Sequence, residues 1–146
     1  MYSFRKSKKG FTLIELMVVV AIIGVLALLG LRLYTGQQQK AKNAIVKANV
    51  GTVQTLIQAE LADEELTTVA NVDFMNTLVG NAGIHNPYSG SPQGEVSHYT
   101  ENAAPGTAVE GDAYVWYDTS GMVFHVNGWG AGGTKVYLTY DLTAQK

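Results

Sequence analysis

The chain has 146 residues, of which 47% are hydrophobic and 15% are charged, and it contains no cysteine. Without cysteine there is no disulfide and no thiolate metal site, so a folded domain must be held together by packing alone. Ten Lys and Arg stand against twelve Asp and Glu, but no cation lies between Ala48 and Thr134. This acidic stretch argues against nucleic-acid binding, which relies on Lys and Arg to neutralise phosphates.

An apolar run begins within the sequence KGFTLIEL, residues 9–16, and continues to Leu31. The 19 residues from Leu13 to Leu31 predict a helix that just covers the ~30 Å core of a bilayer. Glu15 is the one charged residue in this run, and a carboxylate near hydrocarbon costs roughly 2.5–3.5 kcal/mol. No residue of the run carries an opposite charge, so we expect Glu15 to be functional, with a partner from outside the span.

The segment KGFTLIEL followed by MVVVAIIGVLALLG resembles the N-terminus of the type IV pilin family, which includes the pseudopilins of type II secretion. The resemblance implies that a membrane peptidase cuts after Gly10 and that the new amine of Phe11 is N-methylated. Such an amine stays largely protonated near neutral pH, since α-amino groups titrate at about 7.7–8.0. The resemblance also implies that Glu15 of one subunit meets the Phe11 amine of its neighbour in a filament. An ordinary single-pass anchor with an incidental acid is the alternative.

The charges around the apolar run predict its orientation. Only Arg32 follows the run closely, whereas four cations precede it: Arg5, Lys6, Lys8 and Lys9. The positive-inside bias therefore holds the N-terminus in the cytoplasm. Residues 27–36 contain no convincing small-x-small signal-peptidase site, so the apolar helix is expected to remain in the mature protein. We therefore expect a leader at 1–10, a transmembrane and filament-core helix at 11–36, and a head at 37–146.

The sequence departs from many members of this family in two ways. It has no proline just beyond the membrane span, and it has no cysteine in the head. Its weak points are Gly24, Gly30 and Gly36, since each glycine in a helix interior costs about 0.8–1.0 kcal/mol relative to alanine. Two interpretations stay open. The helix melts between Gly24 and Gly36 on assembly, or these glycines only permit close packing between helices.

From Gln37 the polarity rises, but helical spacing persists to about Ala62. Two adjacent lines form a broad apolar stripe: Ile45, Ala48, Thr52, Leu56 and Ala59 on one, and Val46, Val50, Val53, Ile57 and Leu61 on the other. We expect this whole stripe to pack against the head. Residues Thr67–Val69 are expected to lie in a frayed end.

The next region is expected to connect helix and sheet with little regular structure. Residues 71–80 predict a short helix, with Asn71 or Asp73 as N-cap and Gly80 as the stop. Residues 86–90, NPYSG, predict a turn that serves packing rather than a site.

The C-terminal part alternates with period two, which is typical of strands. Residues 113–117 and 122–126 flank the turn 118–121 and predict an antiparallel hairpin; residues 135–142 predict a third strand, and 95–99 a possible fourth. The predicted fold class is α+β, a long N-terminal helical stem packed against a three- or four-stranded antiparallel sheet, which is the pilin fold.

Catalytic chemistry is not expected, because the sequence lacks cysteine and the motifs HExxH and GxSxG, and its three histidines are scattered. His125 is expected to be a satisfied or exposed strand residue rather than a base. Four acids, Glu101, Glu110, Asp112 and Asp118, raise the hypothesis of a calcium site. Since they lack EF-hand spacing, solvated loop acids are the favoured interpretation. Trp129, among glycines, is either an exposed contact or tucked over the sheet edge.

We interpret the sequence as a structural subunit of a type IV pilus, polymerised through its N-terminal helix into a surface filament for adhesion or motility. The implied partners are further copies of the chain, the prepilin peptidase, the assembly machinery and, before assembly, the cytoplasmic membrane. No cofactor, metal or nucleic acid is expected. One alternative is a major pseudopilin of type II secretion, whose heads usually carry a calcium loop. Another is a single-pass binding protein, which needs no cut at Gly10.

Overall fold

The computed structural model describes residues 10–93, 99–101, 109–134 and 140–143, with the backbone alone at 99–101 and 140. The chain divides into two compact units, Met1–Gln38 and Gln39–Lys146. We call the described residues 10–38 the anchor unit and residues 39–146 the head unit. The expected division into leader, filament-core helix and head stays a prediction.

The anchor unit consists of the first part of helix α1, Leu13–Asp63. Its large apolar side chains from Leu13 to Tyr34 are exposed. Among the described residues, α1 is the one helix long and apolar enough to cross a membrane. These side chains are not buried within the unit, and an exposed apolar surface of this extent is typical of a membrane or protein contact.

Three glycines do not interrupt α1. The helix runs through Gly24, Gly30 and Gly36, and a Cβ added at any of them would meet no atom within 4 Å. Melting of this stretch on assembly stays a prediction.

In the head unit, α1 buries only one of the two predicted apolar lines. Val46, Val50, Val53 and Ile57 are buried together with Asn49, whereas Ile45, Ala48, Thr52 and Ala59 are exposed. The prediction of one broad buried stripe is therefore half confirmed. A sheet packed on a helix covers the residues that face it, and the next line around the helix lies outside that contact.

Two short helices follow, α2 at Leu66–Val69 and α3 at Val72–Asn81. The Asn71 N-cap is confirmed: its Oδ1 accepts from the backbone N–H groups of Asp73 at 2.9 Å and Phe74 at 3.3 Å. The prediction that Gly80 ends α3 is wrong, since the residue with positive φ (65°) is Gly83. Val69 is buried in the core, which explains why its segment is helical rather than frayed.

The turn at residues 86–90 is confirmed, with the Gly90 N–H donating to the Asn86 carbonyl at 2.8 Å and Gly90 at φ 76°. It precedes a four-stranded sheet of order β1-β2-β3-β4. The strands are β1 Tyr99–Glu101, β2 Ala113–Asp118, β3 Val123–Gly128 and β4 Tyr140–Thr143.

Strands β2, β3 and β4 are antiparallel neighbours, so the predicted hairpin and the α+β fold class are confirmed. The fourth strand differs from the prediction, because β1 lies at 99–101 and runs parallel to β2. The chain between these strands is long enough to return to the same end of the sheet. Residues 95–98 and 135–139, which were also expected in strands, lie outside the described residues.

The hairpin turn places its strain on an unexpected residue. Register pairs Asp118 with Val123, which leaves residues 119–122 in the loop. The positive φ (55°) belongs to Met122 and not to Gly121. The glycine instead keeps space near Asp118, whose Oδ2 would lie 3.3 Å from an added Cβ.

The core of the head unit lies between α1 and the inner face of the sheet. Val50, Val53 and Ile57 of α1 belong to the same buried cluster as Phe124 and Val126 of β3. Gly128 ends β3 against the helix, since an added Cβ would stand 2.8 Å from side-chain atoms of both Val46 and Val50. A 3-10 turn at Ala131–Gly133 follows, with Gly132 at φ 66°.

Candidate assembly site at the amino end of helix α1

The residues around the expected cut are exposed and not helical. Gly10, Phe11 and Thr12 precede the first turn of α1, and the Phe11 side chain is 83% exposed. The Gly10–Phe11 bond is therefore exposed and lies outside the helix.

Glu15 and Thr12 form a reciprocal cap. Oε2 of Glu15 accepts from the Thr12 backbone N–H at 2.9 Å and from the Thr12 hydroxyl at 2.7 Å. The Glu15 N–H donates to Oγ1 of Thr12 at 3.3 Å. This is the capping-box arrangement, which satisfies donors at a helix start and places a negative charge at the positive end of the helix dipole.

The cap corrects the expectation that Glu15 has no local partner. Sequence reasoning missed Thr12, although a threonine three residues before a glutamate at the start of an apolar run is the signal for a capping box. The cap supplies hydrogen bonds but no opposite charge. Both bonds reach Oε2, and Oε1 accepts none from the described part of the chain. One carboxylate oxygen thus remains for a cation.

The head unit contains a buried polar cluster that the sequence did not reveal. Asn86 donates through Nδ2 to the Glu110 carbonyl and to Oδ1 of Asp112, both at 2.7 Å. Its Oδ1 accepts from the N–H groups of Tyr88 at 2.7 Å and Ser89 at 3.1 Å. One side chain therefore ties the turn at 86–90 to the start of β2, which agrees with the predicted packing role of that turn.

Gln93 completes this cluster. It is 1% exposed, its Nε2 donates to the Gly111 carbonyl at 2.8 Å, and its Oε1 accepts from the Ala113 N–H at 3.1 Å. Oδ1 of Asp112 accepts from the side-chain amide of Asn86 at 2.7 Å, at a place where the calcium hypothesis needs an open ligand.

Three of the four acids of the calcium hypothesis, Glu110, Asp112 and Asp118, have described side chains, and these three do not form one group. Oε1 of Glu110 accepts from the Gly132 N–H at 3.1 Å. Asp118 lies at the far end of β2 from Asp112, about 20 Å away at the rise of a strand. The Ser120 hydroxyl bonds to Asp118 at 2.6 Å and lowers the pKa of its carboxyl. Only the backbone of Glu101 is described, and the described residues contain no group of three acids or histidines that could hold a metal.

His125 lies on the sheet beside residues that satisfy it. Its ring stacks on Trp116 with centroids 3.9 Å apart, and its Nδ1 lies 2.6 Å from Oδ1 of Asp141. This agrees with the expected role of a satisfied strand histidine. Of the others, His85 contacts the Gly83 carbonyl at 3.0 Å through Nδ1, and His98 lies outside the described residues. Trp129 is half-buried, so it is tucked rather than fully exposed.

Tyr88 connects the turn at 86–90 to the start of α1 in the head unit. Its hydroxyl donates to Oδ1 of Asn43 at 2.8 Å, and Nζ of Lys42 lies 4.7 Å from the centre of its ring. Burial and then the negative charge of Glu110 raise the pKa of the Tyr88 hydroxyl.

Comparison with known proteins points to the same end of the chain. The prokaryotic N-terminal methylation motif matches residues 5–31, which include the candidate site. The chain is 45% identical over 62 residues to the fimbrial protein EcpB of Eikenella corrodens, covering 42% of this chain and 39% of that protein. Both matches support a type IV pilin-family protein.

Two further relatives extend this similarity. The type IV major fimbrial protein FimA of Dichelobacter nodosus is 43% identical over 56 residues, 38% of this chain and 36% of FimA. The type IV major pilin protein PilA of Myxococcus xanthus (strain DK1622) is 36% identical over 75 residues, 51% of this chain and 32% of PilA. The chain thus spans less than half the length of these pilins. No solved structure matches it.

Proposed function

We propose that this pilin-family chain is a structural subunit of a type IV pilus, not an enzyme. It is cut after Gly10 by the prepilin peptidase, methylated on Phe11 and polymerised by the pilus assembly machinery. The precursor spans the cytoplasmic membrane once, and the mature subunit lies in a filament on the cell surface, where it serves adhesion or motility. Its direct partners are other copies of the same chain, and its acidic head is not suited to nucleic acid.

The observation that carries this proposal is the exposed apolar surface of the anchor unit. Its large side chains from Leu13 to Tyr34 are uncovered, which no stable monomer in water tolerates over so long a stretch. A membrane covers them before assembly, and neighbouring helices cover them afterwards. Because lipid tails are about as apolar as these side chains, the hydrophobic term nearly cancels between the two states.

The term that does not cancel belongs to Glu15. In lipid its carboxylate costs roughly 2.5–3.5 kcal/mol, and the hydrogen bonds to Thr12 offset only part of this cost. In the filament, the Phe11 amine of a neighbour supplies the opposite charge to Oε1. We infer that this pair favours the assembled state and sets the register between successive subunits.

The relatives bear on the secretion alternative. Those described above are named fimbrial or pilin proteins, which favours a pilus subunit over a pseudopilin of type II secretion. The scattered head acids give the pseudopilin interpretation no calcium loop among the described residues.

Two variants separate the charge of Glu15 from its capping role. Glu15→Gln keeps an acceptor for Thr12, since glutamine also serves in a capping box, but it loses the charge. Thr12→Ala loses the cap and keeps the charge. We expect Glu15→Gln to abolish surface fibres seen by electron microscopy and Thr12→Ala to retain them. Glu65→Gln, an exposed head acid, is the matched control.

Intact-mass analysis of the native chain tests the processing. We expect the mass of residues 11–146 plus one methyl group. Fibres of normal number and length from Glu15→Gln, or a native chain that retains residues 1–10, would contradict the proposal.

A further inference from the structure

Two charged residues bound the apolar part of helix α1 in the anchor unit. Glu15 stands at its amino end and Arg32 at its carboxyl end, and the 16 residues between them, 16–31, carry no charge and no amide side chain. The helix continues without interruption from one to the other. Its length is therefore fixed at about 1.5 Å per residue, which places the Cα atoms of Glu15 and Arg32 about 26 Å apart.

The cap at Thr12 moves the carboxylate of Glu15 back toward the start of the helix. Because Oε2 accepts from the Thr12 N–H at 2.9 Å, the charge lies at the level of a residue three positions earlier. Three residues correspond to about 4.5 Å. The distance along the helix from this carboxylate to the Cα of Arg32 is therefore about 30 Å, which matches the ~30 Å core of a bilayer with no length to spare.

Arg32 has no acid within reach on its own helix. The positions three and four residues to either side of it are neutral: Leu28, Leu29, Thr35 and Gly36. Its side chain is exposed, and it makes no ion pair within the part of the chain that the structure describes. A guanidinium forms strong paired hydrogen bonds with phosphate. Once the helix spans a membrane, the phosphates of the outer leaflet are therefore the partners that Arg32 can reach.

The residues that follow Arg32 suit the headgroup layer of a membrane. Tyr34 is 62% exposed, and tyrosine is enriched at both membrane–water interfaces. Gln37 and Gln38 are exposed, and Nε2 of Gln38 lies 3.4 Å from the Tyr34 hydroxyl. The change from apolar to polar side chains thus follows Arg32 within two turns.

We propose that Arg32 is a positioning residue, which sets the depth of Glu15 in the membrane before assembly. The proposal rests on the proposed function, because it needs the precursor to span the cytoplasmic membrane. Arg32 binds phosphate groups of the outer leaflet and holds the helix there. The length of the span then places the capped carboxylate of Glu15 at the inner edge of the hydrocarbon.

The two charges differ in what they lose on entering hydrocarbon. The hydrogen bonds of Glu15 to Thr12 lie within the chain, so they move with the carboxylate. Arg32 has no such partner among the described residues, so leaving the phosphates exposes its guanidinium to hydrocarbon without a replacement. In a bilayer thicker than the span, the helix is therefore drawn outward and Glu15 enters the core. A thicker membrane thereby destabilises the precursor in lipid and favours assembly.

A spin label beside Glu15 tests this positioning. The natural chain has no cysteine, so Leu16→Cys accepts a single label in the full-length chain. The chain is reconstituted in phosphatidylcholine vesicles with hydrocarbon cores of about 30 and about 36 Å. The relative accessibility of the label to oxygen and to a nickel chelate gives its depth. With Arg32 present, we expect the label to lie about 4–6 Å deeper in the thicker bilayer.

Variants at Arg32 and Lys40 provide the comparison. Arg32→Leu removes the cation and should abolish the shift in depth, whereas Arg32→Lys keeps a cation at the same level and should retain the shift. Lys40→Leu is the matched control, because it removes the next cation along the chain, about 12 Å further out, and should also retain the shift. A merely structural role of Arg32 in the helix would not depend on the thickness of the bilayer.

The outcomes separate this inference from the proposed function. A shift of equal size in Arg32→Leu, or no shift in the parent chain, overturns the positioning role and leaves the pilus function standing. Arg32→Gln gives the same comparison with a polar neutral side chain, should the leucine variant insert poorly. A parent chain that does not insert into vesicles of either thickness, as measured by flotation, contradicts the proposed function instead.

Discussion

Helix α1 passes through two environments, and the comparison between them explains what each half contributes. In the anchor unit, the apolar side chains of α1 are exposed, whereas Val46, Val50, Val53 and Ile57 in the head unit are completely buried. The same kind of residue therefore stabilises the head unit from within, whereas in the anchor unit it forms an uncovered surface, which the proposed function assigns to lipid and to other copies. Residues of the anchor unit should change assembly, and core residues of the head unit should change unfolding.

The largest expected effect comes from the core of the head unit. Phe124 is fully buried on β3, so Phe124→Ala should lower the free energy of unfolding by about 3–5 kcal/mol through lost burial and a cavity. The matched change Leu26→Ala in the anchor unit should leave head unfolding unchanged. Both tryptophans, Trp116 and Trp129, lie in the head unit, so their fluorescence in detergent during urea unfolding reports on it alone. Equal effects of the two variants would break the comparison.

Removing the centre of the buried polar cluster should have the next largest effect. Asn86→Ala leaves the Asp112 carboxylate and two backbone N–H groups without this partner. Buried groups left unsatisfied cost about 1–3 kcal/mol each before relaxation, so we expect a total loss of about 2–3 kcal/mol. Asn81→Ala, at the exposed end of α3, should change urea unfolding by less than about 0.5 kcal/mol. A comparable loss in both variants would show that the cluster is not special.

Replacing glycine by alanine should destabilise the head unit at Gly128 and stabilise helix α1 in the anchor unit at Gly24. At Gly128, the new Cβ would stand 2.8 Å from side-chain atoms of Val46 and Val50. This overpacking should lower the free energy of unfolding of the head unit by about 1–3 kcal/mol. Val46→Ala in the same chain should recover part of this loss. At Gly24, nothing lies within 4 Å, so alanine should favour the helix by about 0.8–1.0 kcal/mol. Circular dichroism in detergent measures both, and a loss of helix from Gly24→Ala would contradict the account.

The smallest effect concerns alkaline pH. Because the pKa of Tyr88 is raised in the folded head from its ordinary 10.0, folding holds the proton more tightly. The contribution of Tyr88 to the free energy of unfolding is complete below its unfolded-state pKa. It is lost as pH rises through its higher folded-state pKa. Tyr88→Phe cannot deprotonate, so the gap in stability between wild type and this variant should narrow above pH 10. Urea unfolding from pH 8 to 11 measures it, and a gap that stays constant would remove Tyr88 as the cause.

Structural features that depend on short-range interactions could be predicted from the sequence. Asn71 as an N-cap, the turn that Gly90 closes and the hairpin between residues 113 and 126 all follow from short-range chemistry. The end of α3 could not be predicted, because Gly80 and Gly83 both fit a helix stop. Only the path of the folded chain decides which glycine takes positive φ.

Long-range choices were not available from the sequence. The sequence shows two adjacent apolar lines on α1 and does not indicate which of them is buried. The packing of the sheet on the helix buries the line of Val46 and Val50. The parallel direction of β1 depends on a connection whose path no local pattern fixes. The buried roles of Asn86 and Gln93 could not be predicted, because a sequence does not show which polar groups find partners. The Thr12 cap, by contrast, follows from local sequence, because threonine stands three residues before glutamate at the start of the apolar run.

Two threonines on the exposed side of α1 in the head unit bear on what happens when another surface meets that side of the helix. The Thr52 hydroxyl donates to the Ala48 carbonyl and the Thr55 hydroxyl donates to the Gly51 carbonyl, so neither proton is given to water. With its hydroxyl bonded inside the helix, each threonine presents its methyl group to the solvent. A surface that packs against these two residues therefore breaks no hydrogen bond of the protein.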